Sequence, residues 1–117
     1  MTVAVAATPL PADLSERDFQ RAVIDLARTL GWDLIAHFRP AMNARGHHQT
    51  PVGADGAGYP DLHLTHRDGR EIFAELKSRR GVLTVEQERW LQRLWDCGHL
   101  VYVWRPVDWP DIVEALA

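Results

Sequence analysis

The 117 residues carry 13 Lys+Arg against 16 Asp+Glu, a net charge of −3, with 46% hydrophobic and 25% charged residues; this is the balance of one globular domain with one modest core. The charge argues against a protein that grips nucleic acid through bulk positive charge, but not against one whose acids are gathered in a metal site, since each bound divalent ion offsets two of them. Cys97 is the only cysteine, which excludes an internal disulfide framework and a cysteine-based zinc site and fits a reducing, cytoplasmic setting.

The opening "MTVAVAATPLPAD" is mildly apolar, lacks a basic leading segment and has only a short apolar run. It reads as a flexible tail over residues 1–13 and not as a signal peptide, leaving 14–117 as a single domain; no run approaches a membrane span. Ser15 is a good N-cap, with Asp18 three residues on and Leu14 before it. Phe19, Val23, Leu26, Ala27 and Leu30 form one apolar stripe at helical spacing, and Gly31 ends the helix. "WDLIAHF" alternates Trp32, Leu34, Ala36 and Phe38, which predicts a strand with that face buried. From Arg39 to Tyr59 the chain is rich in Pro, Gly, His and small residues, a loop long enough to suggest a functional role.

Two strands follow, Asp61–His66 and Glu71–Lys77, turning at Asp68-Gly69. Thr84 caps a second helix, with Gln87 as its capping-box partner. Gln87, Leu91, Leu94 and Trp95 mark its inner stripe, and Gly98 ends it. "HLVYVW" is a near-continuous apolar run, as expected of a strand buried on both faces, and Asp108 starts a short last helix through Leu116. The order is α-β-β-β-α-β, with a parallel crossover from the third strand to the fourth.

Side chains select the register of the hairpin. A two-residue loop would put the apolar residues of the two strands on opposite faces. A three-residue loop, Arg67-Asp68-Gly69 with Gly69 left-handed, pairs His66 with Arg70, so that Leu62 faces Ala74 and Leu64 faces Ile72 on one apolar face. Asp61 then lies opposite Glu75, with Cβ atoms roughly 5 Å apart, and Lys77 projects from the same face about 6–7 Å along the strand. Two carboxylates so close repel by ~2–4 kcal/mol at an effective dielectric near 20. A divalent ion between them turns repulsion into coordination, and Mg²⁺ suits a site of one or two carboxylates that keeps waters for substrate oxygens. Glu16 and Gln20, four apart on the first helix, share a face that borders the sheet. Each of these residues also has an ordinary structural reading: a surface ion pair for Glu75 and Lys77, a helix N-terminal acid for Glu16, a cap for Gln87.

Gly58-Tyr59-Pro60-Asp61 followed by Glu75-Leu76-Lys77 resembles the PD-(D/E)XK nuclease signature. Together with "LTVEQERWLQRL", Gly31-Trp32, the Glu16/Gln20 pair and the closing "VYVWRPVDWPDIVEAL", it is similar to the VRR-NUC (virus-type replication-repair nuclease) family over about Ser15–Leu116. The resemblance implies an α/β, restriction-endonuclease-like αβββαβ core with a central mixed four-stranded sheet flanked by helices. It implies Mg²⁺- or Mn²⁺-dependent hydrolysis of DNA phosphodiesters. Asp61 and Glu75 would bind metal, with the Leu76 carbonyl and Glu16 as further ligands. Lys77 would activate the attacking water or stabilise the phosphorane, and Gln87 would sit beside the site. Relatives occur as domains of the Fanconi-associated nuclease and as small phage and bacterial proteins, and the stand-alone form resembles dimeric resolvases of branched DNA, including four-way junctions. Ala57 stands where many relatives carry a basic or polar residue, which weakens the expected substrate grip.

DNA contacts are expected from Arg39, Arg45 and His47 of the loop, from Gln20 and from Arg79. His47-His48, His63 and His66 do not form a zinc pattern, since adjacent histidines seldom share an ion and His63 and His66 fall on opposite faces. The expectation is a structure-selective DNA endonuclease, acting as a homodimer because one domain carries one site and paired incisions need two, without an organic cofactor or membrane partner. The competing readings are a non-catalytic DNA-binding or assembly module with this fold and a nuclease on linear DNA.

Overall fold

The computed structural model describes residues 9–38, 41–42, 48–49 and 53–117. In chain order the elements are α1 (Glu16–Thr29), β1 (Leu34–His37), β2 (Ala41–Met42), β3 (His48–Gln49), β4 (Leu62–Thr65), β5 (Glu71–Leu76), α2 (Val85–Asp96), β6 (Leu100–Trp104), a 3₁₀ turn (Pro106–Asp108) and α3 (Trp109–Leu116). Four strands form one sheet in the order β1-β4-β5-β6. β4 runs antiparallel to both of its neighbours, β1 and β5, and β6 runs parallel to β5; the predicted mixed sheet is the observed one. β2 and β3 make a separate small ladder within the long loop.

The caps form where the sequence puts them. The Ser15 hydroxyl accepts the Asp18 N–H at 3.1 Å, and Gly31, at φ +97°, closes α1. Buried Phe19, Val23, Leu26 and Ala27 on α1 pack with Leu62, Leu64, Ile72, Ala74 and Leu76 from the sheet and Ile112, Val113 and Leu116 from α3. The α1 stripe is therefore buried against alternate residues of the strands. Leu10 is partly buried against the same cluster, whereas residues 1–8 of the expected tail lie outside the described residues. On the opposite face of β5 stand Phe73 and Glu75, and α2 comes down on that side.

The hairpin register is the predicted one: Leu62 pairs with Ala74 and Leu64 with Ile72. His66 donates its N–H to the Arg70 carbonyl at 3.0 Å, and Gly69 has φ +97°.

Four expectations are corrected. The buried face of the first strand is the other one: Leu34 is 74% exposed, while Ile35 and His37 pair with Leu64 and Leu62 of the core face. The phase was lost because Trp32, though fully buried, precedes the strand and donates its indole N–H to the Leu116 carbonyl at 3.0 Å. Trp95 is 60% exposed, so the inner stripe of α2 narrows to Gln87, Leu91 and Leu94. β6 is not covered on both faces; it is the sheet edge, with Leu100 exposed and Val101 to Val103 half-buried. Asp108 turns its carboxylate back to the Arg105 N–H at 2.8 Å and does not cap α3 through its side chain.

Candidate active site

The site is built around the open end of the β4–β5 hairpin. β4 starts at Leu62, one residue after Asp61, so at this end the Asp61 side chain takes the place of a strand partner: its Oδ2 accepts the Leu76 N–H at 3.0 Å. The Asp61 carbonyl accepts the Phe38 N–H at 2.9 Å, which fixes the motif to β1 as well. In an extended strand a residue's N–H and C=O open to the same side, so the Leu76 carbonyl is directed toward Asp61 too.

Glu75 is 2% exposed. Its Oε1 receives the Gln87 Nε2–H at 2.9 Å and lies 3.9 Å from Lys77 Nζ. Its Oε2 is buried and receives no donor among the described residues; the Glu75 and Asp61 carboxyls hydrogen-bond to each other when one of them holds a proton. Burial, then the charge of Asp61, push the Glu75 carboxyl up to about 8, with Lys77 opposing. Burial also raises Asp61, against the pull of the Leu76 N–H, Lys77 and His37. The two acids therefore cannot both ionise readily unless a cation joins them.

Two further contacts hold this arrangement. Gln87 Oε1 accepts the Thr84 N–H at 2.9 Å while the Thr84 hydroxyl accepts the Gln87 N–H at 3.1 Å. The capping box and the carboxylate contact are thus made by one amide. Gly58, at φ +84°, lies so close to α2 that a Cβ there would sit 2.6 Å from the Glu86 carbonyl carbon and 2.7 Å from the Gln87 nitrogen. Next to it Tyr59 makes edge contacts with Phe38, Phe73 and Trp90. The segment leading to Asp61 is thereby clamped between β1, the sheet and α2.

Asp61, Glu75, Lys77 and Gln87 are brought together as expected. Glu16 is exposed at the rim; partial desolvation and then the Asp61 charge raise its carboxyl, Lys77 opposing. It is within electrostatic reach but does not close a cluster, for no three Asp, Glu, His or Cys side chains among the described residues converge on one metal position. A hard divalent ion nevertheless fits what is present: two adjoining carboxylates, one with a buried oxygen that receives no donor among the described residues, and a backbone carbonyl. Gln20 is half-buried on α1 and Arg79 is exposed beyond β5. Arg39, Arg45 and His47 lie outside the described residues.

His37 was missed by the sequence reading. Its charge lowers Asp61, and the alternation of β1 would have pointed to it had the strand begun at Leu34. His63 stands on the same sheet face as Phe73 and Glu75 but pairs with Glu71: its Nε2 is 2.8 Å from Glu71 Oε2, its ring stacks on Phe73, and His99 Nδ1 holds the other Glu71 oxygen at 2.7 Å. Arg105 has a structural contact, donating from Nη1 to the Ser78 carbonyl at 2.7 Å and fixing the chain just after Lys77.

The VRR-NUC domain family model matches residues 12–108. A solved structure titled "VRR_NUC domain protein" superposes with a TM-score of 0.60 at 20% sequence identity, covering 89% of this chain and 86% of that one; at this identity the likeness concerns the fold. No curated protein matches.

Proposed function

Because the chain belongs to the VRR-NUC domain family and has its nuclease-type fold, we propose that it is a metal-dependent endonuclease that hydrolyses DNA phosphodiester bonds, with a preference for branched DNA such as four-way junctions. The observation that carries the reading is the buried Asp61–Glu75 pair, two carboxyls close enough to share a proton, with Lys77 Nζ 3.9 Å from Glu75 Oε1. An arrangement that only stabilised the fold would separate the two acids or replace one of them.

Asp61, Glu75 and the Leu76 carbonyl would hold Mg²⁺ or Mn²⁺, with Glu16 acting from the rim through bound water. When bound, the ion supplies Lewis-acid polarisation of a phosphoryl oxygen and a water of lowered pKa. Lys77, half-buried and 3.9 Å from Glu75, brings a positive charge to the oxygens that gain negative charge as the nucleophile attacks phosphorus. Gln87 keeps Glu75 Oε1 in place, leaving Oε2 for the ion. Arg39, Arg45, His47, Gln20 and Arg79 are proposed to contact DNA. One domain provides one such site, so paired incisions call for a homodimer.

The test is cleavage of labelled four-way junctions, flaps, linear duplex and single strands with Mg²⁺, Mn²⁺ or EDTA, beside Lys77→Ala. Metal-dependent cutting that favours branched DNA and disappears in the variant is expected. Equal cutting of all substrates removes the branch preference. No cutting by the folded protein under any metal removes the enzyme and leaves a binding module.

A further inference from the structure

Beyond the carboxylates lies a second concavity. A cleft of about 310 Å³ opens between the 54–57 segment and α2, lined by Asp55, Ala57, Glu86, Arg89, Trp90 and Arg93. Its near end is at the active site: Ala57 adjoins Gly58, which touches Glu86 and Gln87, and Gln87 holds Glu75. From Glu86 to Arg93 the cleft follows α2 outward for ~10 Å.

Its wall chemistry is specific. Arg89 and Arg93 are one helical turn apart, so both guanidinium groups project over the same side, and neither has an ion pair or hydrogen bond among the described residues. The indole N–H of Trp90 already donates to the Asp55 carbonyl at 2.8 Å, and one side of its ring meets Tyr59; what remains for the cleft is π surface. Asp55 and Glu86 add carboxylates that accept from N–H donors. The segment is held rigidly for an irregular one. Besides the Trp90 bond, Gly56 donates to the Gly53 carbonyl and Tyr59 to the Gly56 carbonyl, and Ala54 is held at φ +50°, a conformation non-glycine residues rarely adopt.

Two cations unpaired among the described residues for phosphates, an aromatic face for stacking and acceptors for base N–H groups make up the complement of a nucleotide whose base is not paired. A duplex, with its bases stacked and their pairing edges occupied, cannot enter a cleft of this size. We propose that this cleft receives an unpaired nucleotide of the DNA strand that passes through the carboxylate site, so that single-stranded arms, not the duplex, are gripped here. The inference rests on the nuclease reading for its ligand and narrows it: among branched DNAs it singles out those with unpaired arms, forks and flaps, over four-way junctions whose arms are all duplex.

The experiment measures binding without cleavage. Lys77→Ala protein in EDTA is titrated, by fluorescence anisotropy, with a labelled oligothymidylate, a fork with two single-stranded arms and a blunt duplex, then compared with the same protein carrying Arg89→Gln and Arg93→Gln. The added substitutions are expected to weaken fork and oligothymidylate binding by ~5–20-fold and blunt-duplex binding by less than about 2-fold. The slope of log K against log salt for the oligothymidylate should become shallower by ~1.4, two phosphate contacts at ~0.7 each. Arg89→Lys with Arg93→Lys should retain most of that slope. Equal weakening on all three DNAs, an unchanged slope, or a parent protein that binds fork and blunt duplex alike overturns the proposal. Failure of the nuclease reading would look different: fork-selective binding would persist while the wild-type protein cut no DNA with Mg²⁺ or Mn²⁺.

Discussion

Gln87 and Glu75 are joined through a single amide that also closes the first turn of α2: Nε2 donates to Glu75 at 2.9 Å while Oε1 accepts the Thr84 N–H at 2.9 Å. The helix start and the carboxylate orientation are therefore one structure. A helix cap is worth about 1 kcal/mol, and a hydrogen bond to a buried charged group ~1.5–3 kcal/mol.

Gln87→Ala should lower stability by ~1–3 kcal/mol and also weaken metal affinity and cleavage roughly 10-fold, because Glu75 loses its orienting donor. Thr84→Ala removes the hydroxyl half of the box and leaves the amide contact with Glu75, so it should cost ~1 kcal/mol with little change in metal affinity. Chemical denaturation alongside metal titration separates the two; equal effects of both variants on metal affinity would show that the Glu75 contact has no orienting role.

The Glu75 carboxyl, pushed up to about 8 by burial and Asp61, fixes the pH dependence of the metal-free protein. Between its ordinary value of 4.5 and about 8 the folded state binds a proton that the unfolded chain has released. Stability must then fall as pH rises through this window, and the raised Asp61 acts in the same direction. In EDTA the melting temperature at pH 8.5 should be roughly 10 °C below that at pH 5. Glu75→Gln should flatten this profile and raise the melting temperature at pH 8.5, while abolishing cleavage. A flat wild-type profile would contradict the coupling of the two acids.

Mg²⁺ should reverse the penalty. At a concentration 100 times its dissociation constant it stabilises by ~2.7 kcal/mol, and the gain should be larger at pH 8.5 than at pH 5, where protons compete for the same oxygens. Asp61→Asn and Glu75→Gln should each lose the metal-dependent shift in differential scanning fluorimetry, whereas Glu16→Gln should retain part of it, as befits a residue at the rim.

Gly58 meets α2 with no room for a methyl group and has φ +84°. Gly58→Ala should destabilise by ~2–3 kcal/mol and separate Gln87 from Glu75, so activity should fall further than the melting temperature alone explains. Unchanged kcat in the fraction that remains folded would refute the link between this contact and the site.

Much of this was legible in the chain because it rests on short-range rules. The caps at Ser15 and Thr84, the glycine ends at Gly31 and Gly98, and the three-residue turn at Gly69 each follow from local geometry, and the burial of Leu62, Leu64, Ile72 and Ala74 then admits one register. That register alone sets Asp61 beside Glu75. The misreadings arose where tertiary structure decides. Trp32 is buried by the end of α3, so it mimicked the first residue of a strand and hid His37. The apolar run of β6 was taken for a central strand, although nothing local says on which side of β5 the last strand stops the sheet. The cleft beside Trp90 depends on segments more than thirty residues apart, joined by the 2.8 Å bond to Asp55, and no spacing in the sequence announces it.

The hairpin also has a consequence for how the molecule comes into being. Leu76 and Asp61 are 15 residues apart and joined by a turn that closes on its own, so this hairpin can pair within microseconds, well before α3 is brought back to the core. The two carboxylates thus meet in the nascent chain, before a pocket exists to select an ion. As the rest of the fold then buries Glu75, its carboxyl rises and takes up a proton, which lets the pair be enclosed without waiting for a cation. Refolding should accordingly be faster in mildly acidic than in alkaline metal-free buffer, with the ion exchanging for the proton only after the walls have closed.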